Sequence, residues 1–86
     1  MALRADYDDE ADVLYLTYGK PRPGYGDTGP DDITLRYSDD GSPIGATIIG
    51  YRALNWPTRR SDLARRLSRH FGVSLRDVLR VLRALR

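Results

Sequence analysis

The sequence contains no cysteine, so neither a disulfide framework nor a thiolate metal site can form. With one histidine, His70, catalysis by a histidine pair or a conventional triad is not expected. No apolar run approaches the roughly 20 residues of a membrane-spanning helix, and the opening residues lack the apolar stretch of a signal peptide. A cytoplasmic protein with no membrane attachment is the expectation. Lysine is nearly absent too, since Arg outnumbers it thirteen to one. A GC-rich genome would produce the same bias, so arginine enrichment alone does not argue for guanidinium chemistry.

What remains is a chain of 86 residues, enough for one small domain with a thin core, to which dimerisation is a natural supplement. Its net charge of +2 conceals a polarity. Residues 1–56 carry five basic and ten acidic side chains, a balance of −5, whereas residues 57–86 carry nine Arg and two Asp, a balance of +7. Asymmetry on this scale assigns different partners to the two segments, or draws copies of the chain together.

The acidic segment reads as strands. Leu3, Ala5 and Tyr7 alternate with Arg4 and Asp6, the period of a half-buried strand, and Val13 to Tyr18 is rich in β-branched and aromatic residues. The aspartates between them favour a turn. Gly19 to Pro30 holds four Gly and three Pro in twelve residues and is expected to be a long loop. Ile33, Leu35 and Tyr37 alternate again, Asp39-Asp40-Gly41 supplies a tight hairpin loop, and Ile44 to Tyr51 makes a fourth strand, with Gly45 and Gly50 as marks of bulges or close contacts. After Trp56-Pro57 the period becomes helical. Ser61 is a candidate N-cap, followed by Leu63, Ala64, Leu67 and Phe71 on one face. Gly72 fits the left-handed position that ends a helix, and Ser74 with Asp77 opens a second. The apolar arc of that second helix is wide enough to touch the first helix together with either the sheet or a second subunit. The expected fold is α+β: a four-stranded antiparallel meander (domain 1–56) followed by a two-helix C-terminal hairpin (57–86).

Several constellations bear on function. Ser68 and Gly72 stand four residues apart, as the small residue and turn glycine of a helix–turn–helix do, with Leu67, Phe71, Val73, Val78 and Val81 at the packing positions. The second helix would then offer Ser74, Arg76 and Arg80 to base edges, while Arg59, Arg60, Arg65, Arg66, Arg69 and Arg83 contact phosphates. Leu79 near the groove-facing side is at odds with this, and any helical hairpin with a glycine turn and solvated arginines shows similar spacing. Asp6, Asp8, Asp9, Glu10 and Asp12 lack the glycine and closing glutamate of a calcium loop, so turn chemistry accounts for them and no metal or cofactor is expected. His70 fits a surface or helix-capping role. Tyr25 and Trp56, in loops at either end of the sheet region, are the candidates for contacting a protein partner.

The run Tyr7-Asp8-Asp9-Glu10-Ala11-Asp12-Val13-Leu14-Tyr15-Leu16 resembles the opening of the YuzE-like family, small bacterial domains of unknown function. Ile33-Thr34-Leu35-Arg36-Tyr37, Asp39-Asp40-Gly41 and Ile44 to Ile49 resemble its closing hairpin, so the likeness covers about residues 3–52. The Gly- and Pro-rich loop and Ala46-Thr47, where an acidic residue is expected, depart from the pattern. Members of that family beside toxin-like genes imply an antitoxin-like role, and an acidic sheet joined to basic helices is similar in plan to HicB-like antitoxins. The reading that follows is a non-enzymatic, dimeric, antitoxin-like or transcription-regulating protein, whose sheet holds a basic toxin and whose helices hold DNA. A structural homo-oligomer that binds no nucleic acid, or a small nuclease, is the alternative.

Overall fold

The computed structural model describes residues 2–85. Five strands, β1 (Leu3–Asp8), β2 (Val13–Tyr18), β3 (Gly24–Thr28), β4 (Ile33–Ser38) and β5 (Pro43–Ile49), form one antiparallel sheet in the order β1-β2-β5-β4-β3. A 3-10 turn, Trp56–Arg59, leads directly into α1 (Arg60–Phe71), and α2 (Leu75–Arg83) follows. The α+β class stands, but the sheet has five strands, not four, and it is not a simple meander. The β1–β2 hairpin and the β3–β4–β5 meander are joined side by side through β2 and β5.

The extra strand is the middle of the Gly- and Pro-rich segment. Its intrinsic strand preference is low, and it is held only by its ladder with β4, at the sheet edge. Tyr25 stacks on Tyr37 with ring centroids 5.6 Å apart, and the hydroxyls of Thr28 and Thr34 lie 2.7 Å apart. Glycine is required at position 24, where a Cβ would sit 2.0 Å from the carbonyl oxygen of Tyr37. The residues that precede it, 19–23, form a strap that passes over the ends of β5 and β4. Crossing three strand spacings takes about 14 Å, and six extended steps from Tyr18 to Gly24 reach about 20 Å.

Leu14, Leu16, Ala46 and Ile48 from the central strands meet Leu63, Ala64, Leu67 and Phe71 of α1 and Val78 and Leu82 of α2 in one core. α2 packs on β1 and on α1 and buries Val78 and Leu82 of its apolar arc there, leaving Leu79, Val81 and Leu85 half-buried and Leu75 exposed, while α1 lies over β5. Ser61 is not the N-cap of α1, because the helix runs on from the 3-10 turn and begins at Arg60. The turn between the helices follows the sequence reading. Gly72 is left-handed (φ 67°), Ser68 holds the turn through its hydroxyl on the Val73 carbonyl (2.5 Å), and Ser74 Oγ accepts from the Asp77 amide (3.1 Å). Leu79 is half-buried: it packs against the core and also lines the surface hollow between Arg83 and the start of α1.

Candidate functional site

The guanidinium groups of the helical layer divide into tied and untied ones. Arg66 is ion-paired with Asp31 from the loop before β4, Arg65 reaches Asp62 one turn earlier at 3.4 Å, and Arg59 donates to the Leu54 carbonyl at 2.6 Å while lying 4.1 Å from the centroid of the Trp56 ring. Arg60, Arg69, Arg76, Arg80 and Arg83 are exposed and make no ion pair among the described residues. On α2 the three arginines fall at i, i+4 and i+7, which sets them in one stripe about 10 Å long. At its end, Arg83 faces Arg59 and Arg60 across a hollow of about 410 Å³ at the start of α1, with Thr58 and Asp62 also on its walls. The basic surface therefore runs from Arg76 along α2 to the first turn of α1. Arg66 and Arg69 stand apart from it, on the other flank of α1.

That other flank borders an open cleft. The helices cover the β1–β2–β5 side of the sheet and reach only partly over β4, so the buried Ile33 and the half-buried Leu35 and Tyr37 form a floor beside Arg66, Arg69 and His70. Its volume is about 630 Å³, and Asp27 and Asp31 stand at its rim. His70 is half-buried here, not a surface cap. Its Nε2–H donates to the Gly45 carbonyl at 2.9 Å, its ring meets Tyr37 edge-on, and Phe71 lies 4.7 Å away, so it docks α1 on β5. Burial lowers its pKa from the ordinary 6.5, which the carbonyl bond only partly offsets.

A second cluster joins sheet and helices. Asp12 closes the β1–β2 turn with a left-handed backbone (φ 55°), and its carboxylate accepts from the Tyr7 hydroxyl (2.6 Å) and from the amides of Arg52 (2.8 Å) and Ala53 (3.0 Å). Its carbonyl takes the amides of Gly50 and Tyr51. Thus one aspartate ties the first hairpin to the segment that carries the chain into the helices. The Tyr7 hydroxyl and the two amides lower the Asp12 pKa below 3.8, while the same hydrogen bond raises that of Tyr7. Of the other acidic residues, Asp8 accepts from the amides of Glu10 and Ala11 within the turn, whereas Asp6 lies in strand β1. Among the described residues no group of three or more potential ligands could hold a metal ion.

These shifts set the acid response of the fold. His70 is held neutral when folded and takes a proton more readily when unfolded, so stability is full above about pH 6.5 and falls as pH drops through that value. Asp12 acts lower, together with Asp40, whose carboxylate accepts from Ser38 and the Ser42 amide: their stabilisation is present above about pH 3.8 and is lost as pH falls through the depressed folded values. Urea unfolding followed at pH 8, 6, 5 and 3 should show two separate declines. His70→Gln should abolish only the first, and an unchanged first decline in that variant would disprove the assignment.

The sequence-predicted partner residues separate. Tyr25 is 54% exposed on the edge strand β3, whereas Trp56 is 1% exposed at the centre of the core and offers no surface to a partner. Its indole Nε1–H has no hydrogen-bond partner among the described residues. Sequence reasoning missed Asp12 as a latch, because its amide partners lie forty residues away, and missed the Arg66–Asp31 pair for the same reason. No helix of the described residues is long and apolar enough to cross a membrane. Neither the curated proteins nor the solved structures yield a match to this chain. A family model described as a protein of unknown function, DUF2283, matches residues 4–51, which run from β1 through β5 to Tyr51 and include Asp12 and both sheet edges, and leave α1 and α2 outside. With more than half its length inside that match, the chain belongs to the DUF2283 family.

Proposed function

We propose that the chain is a non-enzymatic binding protein that holds the phosphate backbone of DNA along α2 and a protein partner at its sheet, in the manner of an antitoxin or transcriptional regulator. The observation that carries this reading is the stripe of Arg76, Arg80 and Arg83, exposed and without a carboxylate partner among the described residues, continued by Arg60 across the hollow. Cations left unneutralised on one surface attract a polyanion and release its counterions when they meet it. The helical turn built on Ser68 and Gly72 is compatible with a helix–turn–helix, and the likeness of the opening motif to YuzE-like domains belongs to the same reading. Arg65 and Arg66, already paired with aspartates, contribute less.

Titration of a labelled duplex against salt tests it. Affinity should fall linearly on a log–log plot, and the triple variant R76E/R80E/R83E should lower the magnitude of the slope by about 2.7, at about 0.9 for each phosphate no longer neutralised. Arg65→Ala should leave the slope within about 0.5 of the native one. Absence of binding at low salt, or equal losses from Arg65→Ala and the α2 variants, would refute the assignment.

A further inference from the structure

We propose that β3 is a self-pairing edge: two copies of the chain join antiparallel through Gly24–Thr28, about a two-fold axis at Gly26, to make one continuous ten-stranded sheet.

The direction of the free backbone groups follows from the ladder. The Gly29 amide donates to the Ile33 carbonyl at 2.9 Å, one step beyond the Thr28↔Thr34 partnership. Hydrogen-bonded and non-bonded pairs alternate in an antiparallel ladder, so Asp27 and Tyr25 turn their backbone groups toward β4. Gly24, Gly26 and Thr28 therefore point their N–H and C=O groups away from it, at the open edge. Two of these three residues have no side chain, and every residue of β3 is exposed.

Proteins protect open edges with charges, prolines or bulges. The opposite edge strand, β1, carries Arg4, Asp6 and Asp8. β3 carries one charge, Asp27, no proline and no bulge. What it does carry is complementary to itself. With the axis at Gly26, the bonded pairs are Gly24 with Thr28 of the other copy, Gly26 with Gly26, and Thr28 with Gly24, three pairs that exchange two bonds each. The intervening narrow pairs set Tyr25 opposite Asp27 twice, on the face that carries the cleft. Cross-strand neighbours at such positions are close enough for the phenol to donate to the carboxylate. A register centred on Asp27 would instead oppose two carboxylates. The two open clefts over β4 and β3 meet at this axis.

Sedimentation velocity on the full chain and its variants is the test. The native chain should dimerise, and Tyr25→Asp, which opposes two carboxylates at each narrow pair, should weaken the dimer at least about tenfold. Thr28→Pro removes an outward amide, which an edge strand tolerates, and should act likewise, with circular dichroism showing the monomer still folded. The exchange Y25D/D27Y restores a tyrosine opposite an aspartate and should restore the dimer. A native chain that stays monomeric to millimolar concentration overturns the proposal, as does a dimer indifferent to Tyr25→Asp and Thr28→Pro, or an exchange variant that fails to recover it.

Discussion

Replacing Trp56 by alanine is expected to remove about 3–5 kcal/mol of stability, the range for emptying a large buried aromatic site. A chain of 86 residues has roughly 4–13 kcal/mol in total, at about 0.05–0.15 kcal/mol per residue. The variant should therefore lie near the edge of folding, with a Tm lowered by at least about 12 °C in a circular dichroism melt. The position explains the size of the effect. Trp56 is buried where the linker from the sheet turns into α1, in the core cluster with both, and the guanidiniums of Arg59 and Arg66 lie over its ring at 4.1 and 5.6 Å. Trp56→Phe keeps a ring in the site and removes an indole N–H that is buried without a partner, so its cost should stay below about 2 kcal/mol. A Trp56→Ala melt within a few degrees of the native one would contradict the burial.

Leu82→Arg should be the most damaging single change on α2. Leu82 is fully buried in the core cluster, on a helix packed against both α1 and β1, and an arginine there either leaves its charge unpaired in the core or forces the helix away from the sheet. A loss of at least about 4 kcal/mol and of a cooperative urea transition is expected. Leu75→Arg, on a residue already 38% exposed, should change stability by less than about 1 kcal/mol. The contrast separates two uses of the apolar arc. If it built a dimer, Leu82→Arg would release folded monomers. Since it closes the core of its own chain, the same variant should unfold.

The parts of this fold that are legible in the sequence are those fixed by neighbours in the chain. Alternation in Leu3 to Tyr7 and Ile33 to Tyr37, the left-handed Gly41 and Gly72, and the Ser74 cap all rest on interactions spanning a few residues. β3 is hidden because Gly-Tyr-Gly between prolines has the composition of a loop, and only pairing with β4 makes it a strand. The placement of β5 beside β2 is hidden too, since adjacency in space here does not follow adjacency in sequence. For the candidate site, the exposed stripe of Arg76, Arg80 and Arg83 follows from helical period alone. Which of the remaining arginines are engaged does not, because Asp31 and the Leu54 carbonyl reach Arg66 and Arg59 only once the chain has folded.

The order of the strands also governs how the chain folds. The β1–β2 hairpin and the β3–β4–β5 meander each form from near neighbours, so their closure entropy is small. The seam between β2 and β5 joins residues some thirty positions apart, from Thr17↔Gly45 to Val13↔Ile49, and is the slow, high-contact-order event of assembly. Asp12 sits at the end of that seam and bonds the chain just beyond β5, so zippering of the two halves and placement of the linker are completed by the same residue. Mutations within either half, whose contacts are already made when the seam closes, should slow refolding, whereas loss of the Asp12 bonds that complete the seam should chiefly hasten unfolding.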